Sequence, residues 1–237
     1  MKYNFNRYFK YIIIFLVFVS LIMIILSTYT YSKILFKNDI FYNDKIIYIE
    51  DFLENYEYKK ILNNLDKDNR TLKDEKFRLV LPLDNNNNKN IYDIFYSDKY
   101  INLIKKKTKN NNIIKSDFPI EYRIYQNGSS GMKWHSDTLL YELPQYEAIY
   151  TIHNVSDSLT KWIDDDGKEH SIWTKPNSIL IVKAQGLKHM VTPVNNGTRS
   201  ILKLIYTQSE NKNRELWTNW RAKQKQASYS ITTQYRF

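Results

Sequence analysis

Two stretches decide how this chain is read: Trp134-His135-Ser136-Asp137, and Lys188-His189-Met190-Val191-Thr192-Pro193-Val194-Asn195-Asn196-Gly197-Thr198-Arg199. In an extended strand, residues i and i+2 project to one face. His135 and Asp137 can therefore aim an imidazole nitrogen and a carboxylate oxygen at a single point. Such a pair begins a two-His-one-carboxylate metal site, which leaves positions on iron(II) open for a chelating cosubstrate and dioxygen. A third ligand must come from a neighbouring strand, and His189, just after Gly186, is the candidate. Arg199 opens the next apolar run ten residues later. An antiparallel return would bring it into the same barrel, where its planar fork suits a dicarboxylate.

The surrounding sequence has the texture of short strands. Tyr122-Arg123-Ile124-Tyr125, Ala148-Ile149-Tyr150-Thr151-Ile152, Ser178-Ile179-Leu180-Ile181-Val182 and Ser200 to Tyr206 read as strands, with Asn127 to Gly131 as a turn. Asp164-Asp165-Asp166-Gly167 reads as a hairpin turn between Lys161-Trp162-Ile163 and His170-Ser171-Ile172-Trp173. Upstream, Ile46 to Ile49 and Phe77 to Leu83 are predicted strands. Asp51 is predicted to cap a helix through Leu65, Asp84 to Asn90 to form a loop, and Ser97 to Lys107 to form a second helix. Many short strands after a helical prelude predict a mainly β fold with flanking helices, a double-sheet jelly roll. A lone His in a β domain is more often structural than ligating, so His153 and His170 carry no metal reading. His170 is expected near the surface, and Trp134 in the core.

The order H-x-D, distant His, then Arg ten residues on resembles the iron(II)/2-oxoglutarate-dependent dioxygenases, and within them the prolyl 4-hydroxylase-like branch. Tyr125-Gln126-Asn127-Gly128 before the H-x-D and Pro176 to Ile181 before the distal His add to the likeness, which runs from about Ile46 to Thr207. The resemblance implies a double-stranded β-helix with iron(II) held by His135, Asp137 and His189. It implies that Arg199, helped by Tyr125, binds the distal carboxylate of 2-oxoglutarate. It further implies hydroxylation of a protein or peptide side chain, prolyl included, with succinate and carbon dioxide as coproducts and ascorbate as a supporting reductant. Three features depart from the prolyl hydroxylases: Arg199 stands where Lys is common, Asn154-Val155-Ser156-Asp157-Ser158 occupies the place of a Gly-Gly-x-Thr stretch, and the turn before His135 is about two residues longer.

Working outward, residues 11–32 contain no charge, and Ile12 to Leu26 is apolar except for Ser20. That length predicts an uncleaved membrane anchor, since the first Ala of the chain is Ala148 and no A-x-A cleavage site precedes it. The closer packing of Lys2, Arg7 and Lys10, relative to Lys33, Lys37 and Lys45, predicts a single-pass protein with a cytoplasmic N-terminus and a lumenal catalytic domain. The expected organisation is a stub and anchor over 1–32, a linker over 33–45, the oxygenase domain over 46–210 and a basic aromatic tail over 211–237. The chain has no Cys, which excludes disulfides, a thiol nucleophile and Cys-ligated metal sites. A net charge of +10 admits nucleic acid as a partner, and with it an oxidative demethylase of the same superfamily. The Lys/Asn-rich runs, such as Asn85 to Asn90, give a plainer source for that charge. In the tail, Leu216, Trp217 and Trp220 are predicted to pack inward from a helix. A non-catalytic jelly-roll binding module is the reading from a different class.

Overall fold

The computed structural model describes residues 11–26, 40–41, 44–66, 72–75, 77–83 and 85–218. The chain divides into two units, Met1–Asn38 and Asp39–Phe237.

The first unit contains helix α1 over residues 11–26, whose side chains are exposed. At 1.5 Å per residue it is about 24 Å long, short of the roughly 30 Å hydrocarbon layer. Among the described residues no helix is long and apolar enough to cross a membrane. This overturns the predicted anchor over 11–32, and with it the membrane partner and the lumenal single-pass assignment. Residues 27–32 of the predicted anchor lie outside the described residues.

The second unit is built on two sheets. The larger has strand order β1 (Ile40–Phe41), β2 (Ile46–Ile49), β11 (Ser178–Lys183), β8 (Tyr146–Asn154), β13 (Arg199–Thr207), β6 (Ile120–Tyr125), β4 (Leu79–Leu83) and β3 (Lys73–Asp74). A short strand, β5 (Ile114–Lys115), also pairs with β13. The smaller sheet has the order β10 (Glu169–Ile172), β9 (Thr160–Ile163), β12 (His189–Val191) and β7 (Met132–His135). The strand pairings described are antiparallel, and the predicted Asp164 to Gly167 turn joins β9 to β10.

Alternation along β13 sorts the two faces of the large sheet. Leu202, Leu204 and Tyr206 join Ala148, Tyr150 and Ile152 on one face. That face is covered by helices α2 (Asn55–Asp66), α3 (Lys89–Phe95) and α4 (Asp98–Thr108), through Ile61, Ile91, Phe95, Tyr100 and Ile104. It is a hydrocarbon layer, and its burial supplies the main driving force for folding. The opposite face carries Arg199, Ile201 and Lys203 together with Arg123, Tyr125, Glu147 and Ile149, and it turns toward the small sheet.

Several local expectations shift. Asp51 does not cap α2: it sits at φ 47°, and the helix starts four residues later. There the Glu57 carboxylate accepts a hydrogen bond from the Glu54 N–H (3.1 Å), as half a capping box does. The predicted loop over 84–90 gives way at Lys89 to α3, because Ile91, Ile94 and Phe95 share a face that the core can bury. Trp134 is 39% exposed rather than in the core. His170 is half-buried: it bonds Asp164 at 2.6 Å and stacks on Trp162. In the tail, residues 214–218 are helical, and Trp217 is buried edge-on against Phe118 and Tyr141. Trp220 lies outside the described residues.

Candidate metal centre

His135 closes β7, and its cross-strand partner on β12 is His189. Two short antiparallel strands thus set the imidazoles side by side, with ring centroids 4.4 Å apart. Asp137 lies two residues beyond the end of β7. Its Oδ1 is 3.8 Å from His135 Nε2 and its Oδ2 is 3.5 Å from His189 Nε2. One ligand atom from each of the three lies within 4.8 Å of the others. These spacings are too long for hydrogen bonds and leave the three groups converging on a common point.

The remaining ring nitrogens decide the tautomers. His135 Nδ1 is 2.7 Å from the Lys133 carbonyl, and His189 Nδ1 is 3.2 Å from the Leu187 carbonyl. A carbonyl only accepts, so each Nδ1 donates and each Nε2 is the nitrogen left to face the carboxylate. This is how metal-binding histidines are oriented. Burial, then the nearby Glu147 carboxylate, push the Asp137 carboxyl above its usual range, and the cations and imidazoles around it offset this only in part. A divalent ion at the meeting point would reverse that balance, so the donor set fits one.

The same cavity runs inward to a second site. On the inner face, Arg199 pairs across strands with Tyr125, Ile201 with Arg123, and Lys203 with Glu121. Arg199 is 2% exposed and its Nε has no hydrogen-bond partner. Among the described residues no carboxylate pairs with it, whereas Arg123 holds Glu121 and Lys203 holds Glu147 at 2.5 Å. Burial pushes the Arg199 guanidinium below its usual pKa, against the pull of Tyr125 and Tyr48. Burial alone would raise the Tyr125 phenol, but the guanidiniums of Arg123, Arg78 and Arg199 outweigh it and hold the phenol below its usual value. A buried cation without a counter-ion, beside a phenol in a cationic field, has the chemistry to accept an anion.

The geometry therefore places all five residues singled out in the sequence on the lining of one cavity: the converging His135, Asp137 and His189, and the cross-strand pair Arg199 and Tyr125. It also adds residues the sequence reading did not select. Thr160 on β9 lines the cavity, is 4% exposed, and its hydroxyl lacks a partner. Arg123, Glu147 and Lys203 line it too. A two-residue period would have found Arg123 from Tyr125 and Lys203 from Arg199. A larger groove of about 750 Å³ lies between α4, β5 and the Lys212 segment. It shares no lining residue with this cavity, and its hydroxyls are committed within the protein: Ser116 with Tyr141 at 2.6 Å, Tyr96 to the Ile205 carbonyl at 3.1 Å and Thr207 to the Ser209 carbonyl at 2.9 Å.

No family model matches the sequence, and no curated protein matches it. Solved structures do match in fold. An oxidoreductase of the 2OG-Fe(II) oxygenase family from Burkholderia pseudomallei superposes with a TM-score of 0.62 at 9% identity, covering 72% of this chain and 87% of its own. A prolyl hydroxylase from Trichoplax adhaerens, in complex with a hypoxia inducible factor peptide fragment, has a TM-score of 0.54 at 12% identity, covering 70% and 84%. HygX from Streptomyces hygroscopicus, with nickel and 2-oxoglutarate bound, has a TM-score of 0.51 at 10% identity, covering 68% and 82%. The chain has the fold of the iron(II)/2-oxoglutarate oxygenases.

Proposed function

We propose that this chain is an iron(II)- and 2-oxoglutarate-dependent oxygenase that hydroxylates a side chain of a protein or peptide. The observation that carries this reading is the pairing, in one cavity, of a His-Asp-His cluster with a buried guanidinium that has no anionic partner. Iron(II) held by His135, Asp137 and His189 would supply dioxygen activation coupled to decarboxylation of 2-oxoglutarate, giving succinate, carbon dioxide and a hydroxylated substrate. The chain's own residues do the rest. Arg199, with Tyr125 and the free Thr160 hydroxyl, would grip the distal carboxylate and set the direction in which 2-oxoglutarate reaches the ligands. The Nδ1–H groups of His135 and His189 stay on their backbone carbonyls, so neither ring can rotate. Ile149, Leu180, Val182 and Ile201 line the space between and exclude water. A protein or peptide substrate is supported by the likeness to a hydroxylase whose structure holds a peptide.

The test uses the full chain with iron(II), ascorbate and 2-oxoglutarate, measuring succinate without and with a peptide library screened for a mass gain of one oxygen. Slow succinate release without peptide, faster with a hydroxylated one, is the expected result. Absence of both turnover and metal uptake would make the fold a binding module. Succinate release stimulated instead by a methylated oligonucleotide would move the substrate to nucleic acid.

A further inference from the structure

Asp137 lies beyond the end of β7, so the sheet ladder does not hold it. The backbone just after it, at Thr138 and Leu140, is held instead by one buried amide. Gln145, 0% exposed, precedes β8 and faces back across the loop. Its Nε2 donates to the Thr138 carbonyl at 2.8 Å, and its Oε1 accepts from the Leu140 N–H at 3.1 Å. A single side chain thereby fixes the chain on both sides of residue 139. Its own backbone is fixed in turn: the Gln145 carbonyl accepts from the Ala184 N–H at 2.8 Å. The next residue, Gln185, is turned to φ 54° and donates its N–H to the Asp137 carbonyl at 3.1 Å. The β11–β12 turn, Gln145 and the Asp137 loop so form one closed set of hydrogen bonds.

The set continues into the cavity. The Gln145 Nε2 also reaches Glu147 Oε1 at 3.4 Å, and Glu147 Oε2 holds Lys203 Nζ at 2.5 Å. Buried ion pairs are rarely worth their desolvation for stability alone, and apolar residues would fill this wall at lower cost. Here the pair ties β13 and β8 to the amide that holds the loop after Asp137. An amide is also the one side chain type of this length with both the acceptor Leu140 needs and the donors that Thr138 and Glu147 need.

We propose that Gln145, backed by Glu147 and Lys203, is a positioning residue that aims the Asp137 carboxylate at the metal. The inference rests on the metal centre proposed above.

Cobalt(II) titration of the full chain, followed by its visible absorption, tests it alongside thermal melting of the metal-free protein. Gln145→Leu should weaken cobalt binding about 10- to 100-fold and alter the cobalt spectrum. Glu147→Gln keeps the shape of the wall and so serves if Gln145→Leu does not fold. It should weaken cobalt several-fold, because it removes a nearby anion and frees Lys203 from its partner. Thr151→Val controls for mere loss of a buried hydrogen bond. Thr151 lies on β8 away from the loop; the change breaks its 2.9 Å bond to Thr174 and should leave the cobalt affinity and spectrum as in the wild type. Wild-type cobalt affinity and spectrum in both Gln145→Leu and Glu147→Gln would overturn the proposal, as would an equal cobalt loss in Thr151→Val. Failure of the wild-type chain to take up cobalt would instead overturn the metal centre itself.

Discussion

Replacing Arg199 by Met should separate cosubstrate binding from metal binding, because Arg199 lines the same cavity as the three converging groups without being one of them. The guanidinium is 2% exposed and has no carboxylate partner among the described residues. It is therefore free to take one from a ligand. Removing one member of a buried, doubly bonded charge pair costs about 3–5 kcal/mol. At 1.4 kcal/mol per decade, 2-oxoglutarate affinity should fall by roughly two to three and a half decades. Cobalt affinity should stay within about threefold of wild type, since Arg199 is not among the converging ligand atoms. The metal-free protein should melt no lower than wild type, because Met fills similar space without an uncompensated buried charge. Arg199→Lys should fall between the two, keeping the charge and losing the fork. Calorimetric titration of 2-oxoglutarate into the cobalt-loaded chain, with melting of the metal-free chain beside it, gives all three quantities. If Arg199→Met binds 2-oxoglutarate within threefold of wild type, the guanidinium is not its receptor. If cobalt, 2-oxoglutarate and stability fall together, its role is structural.

Thr160→Val removes a buried hydroxyl that has no partner in the protein, so the metal-free melting temperature should hold or rise. Affinity for 2-oxoglutarate should drop by about 1 kcal/mol, read by the same titration; unchanged affinity would remove Thr160 from the anion site. Burial acts to raise the Glu121 and Glu147 carboxyls, but Arg123 beside the first and Lys203 beside both outweigh it and hold them below the usual 4.5. Their stabilisation is thus fully present above that value and is lost as pH falls through the lower folded values. A melting series from about pH 6 to pH 3 should show the loss, and Glu121→Gln should flatten it; an equally steep acid arm in the variant would contradict this. Gly131→Ala should destabilise by about 2 kcal/mol or more, since residue 131 is at φ +67° and a Cβ there would lie 2.2 Å from the Val191 carbonyl. Denaturant unfolding would measure it, and a loss under about 0.5 kcal/mol would mean that β7 and β12 shift freely.

Much of the fold was legible because the strands alternate and the turns carry Gly or Asp. The hairpin at Asp164 to Gly167, the run from Ser178 and the return from Arg199 all fall within a residue or two of their predicted places. The site was legible for a different reason: ligand chemistry restricts residue type as well as spacing. What escaped was set by tertiary contact. α3 follows an Asn-rich run of low helix propensity, and only burial of Ile91, Ile94 and Phe95 makes it helical. Asp51 looks like a cap, yet the chain between it and α2 is held by Asn177, which bonds both the Leu53 N–H and its carbonyl. Trp134 alternates with an inward His135, so it faces outward from an edge strand whatever its hydrophobicity. The apolar run at 11–26 shows the limit of composition: hydropathy alone predicted an anchor, whereas among the described residues no helix is long and apolar enough to cross a membrane.

The distribution of imperfections in the second unit is itself an argument for a site. A barrel interior filled with Leu, Ile and Val would fold with fewer penalties than one holding Arg199, Arg123, Lys203, Glu121 and Glu147. The helix-facing side of the same sheet is filled in that simpler way, so the sequence is able to build such a layer. Only the face opposite His135 and His189 departs from it. There the cations Arg123 and Lys203 are each given a carboxylate, while Arg199, two registers deeper than Lys203, is given none. A fold that neutralises its other wall charges and leaves one bare has kept room for an anion that the chain does not encode. The neighbouring phenol of Tyr125 and the unpartnered hydroxyl of Thr160 make the same demand from two other strands. Strain in packing or chance mutation would scatter such defects through the core; converging on one cavity, they define the shape of what binds there.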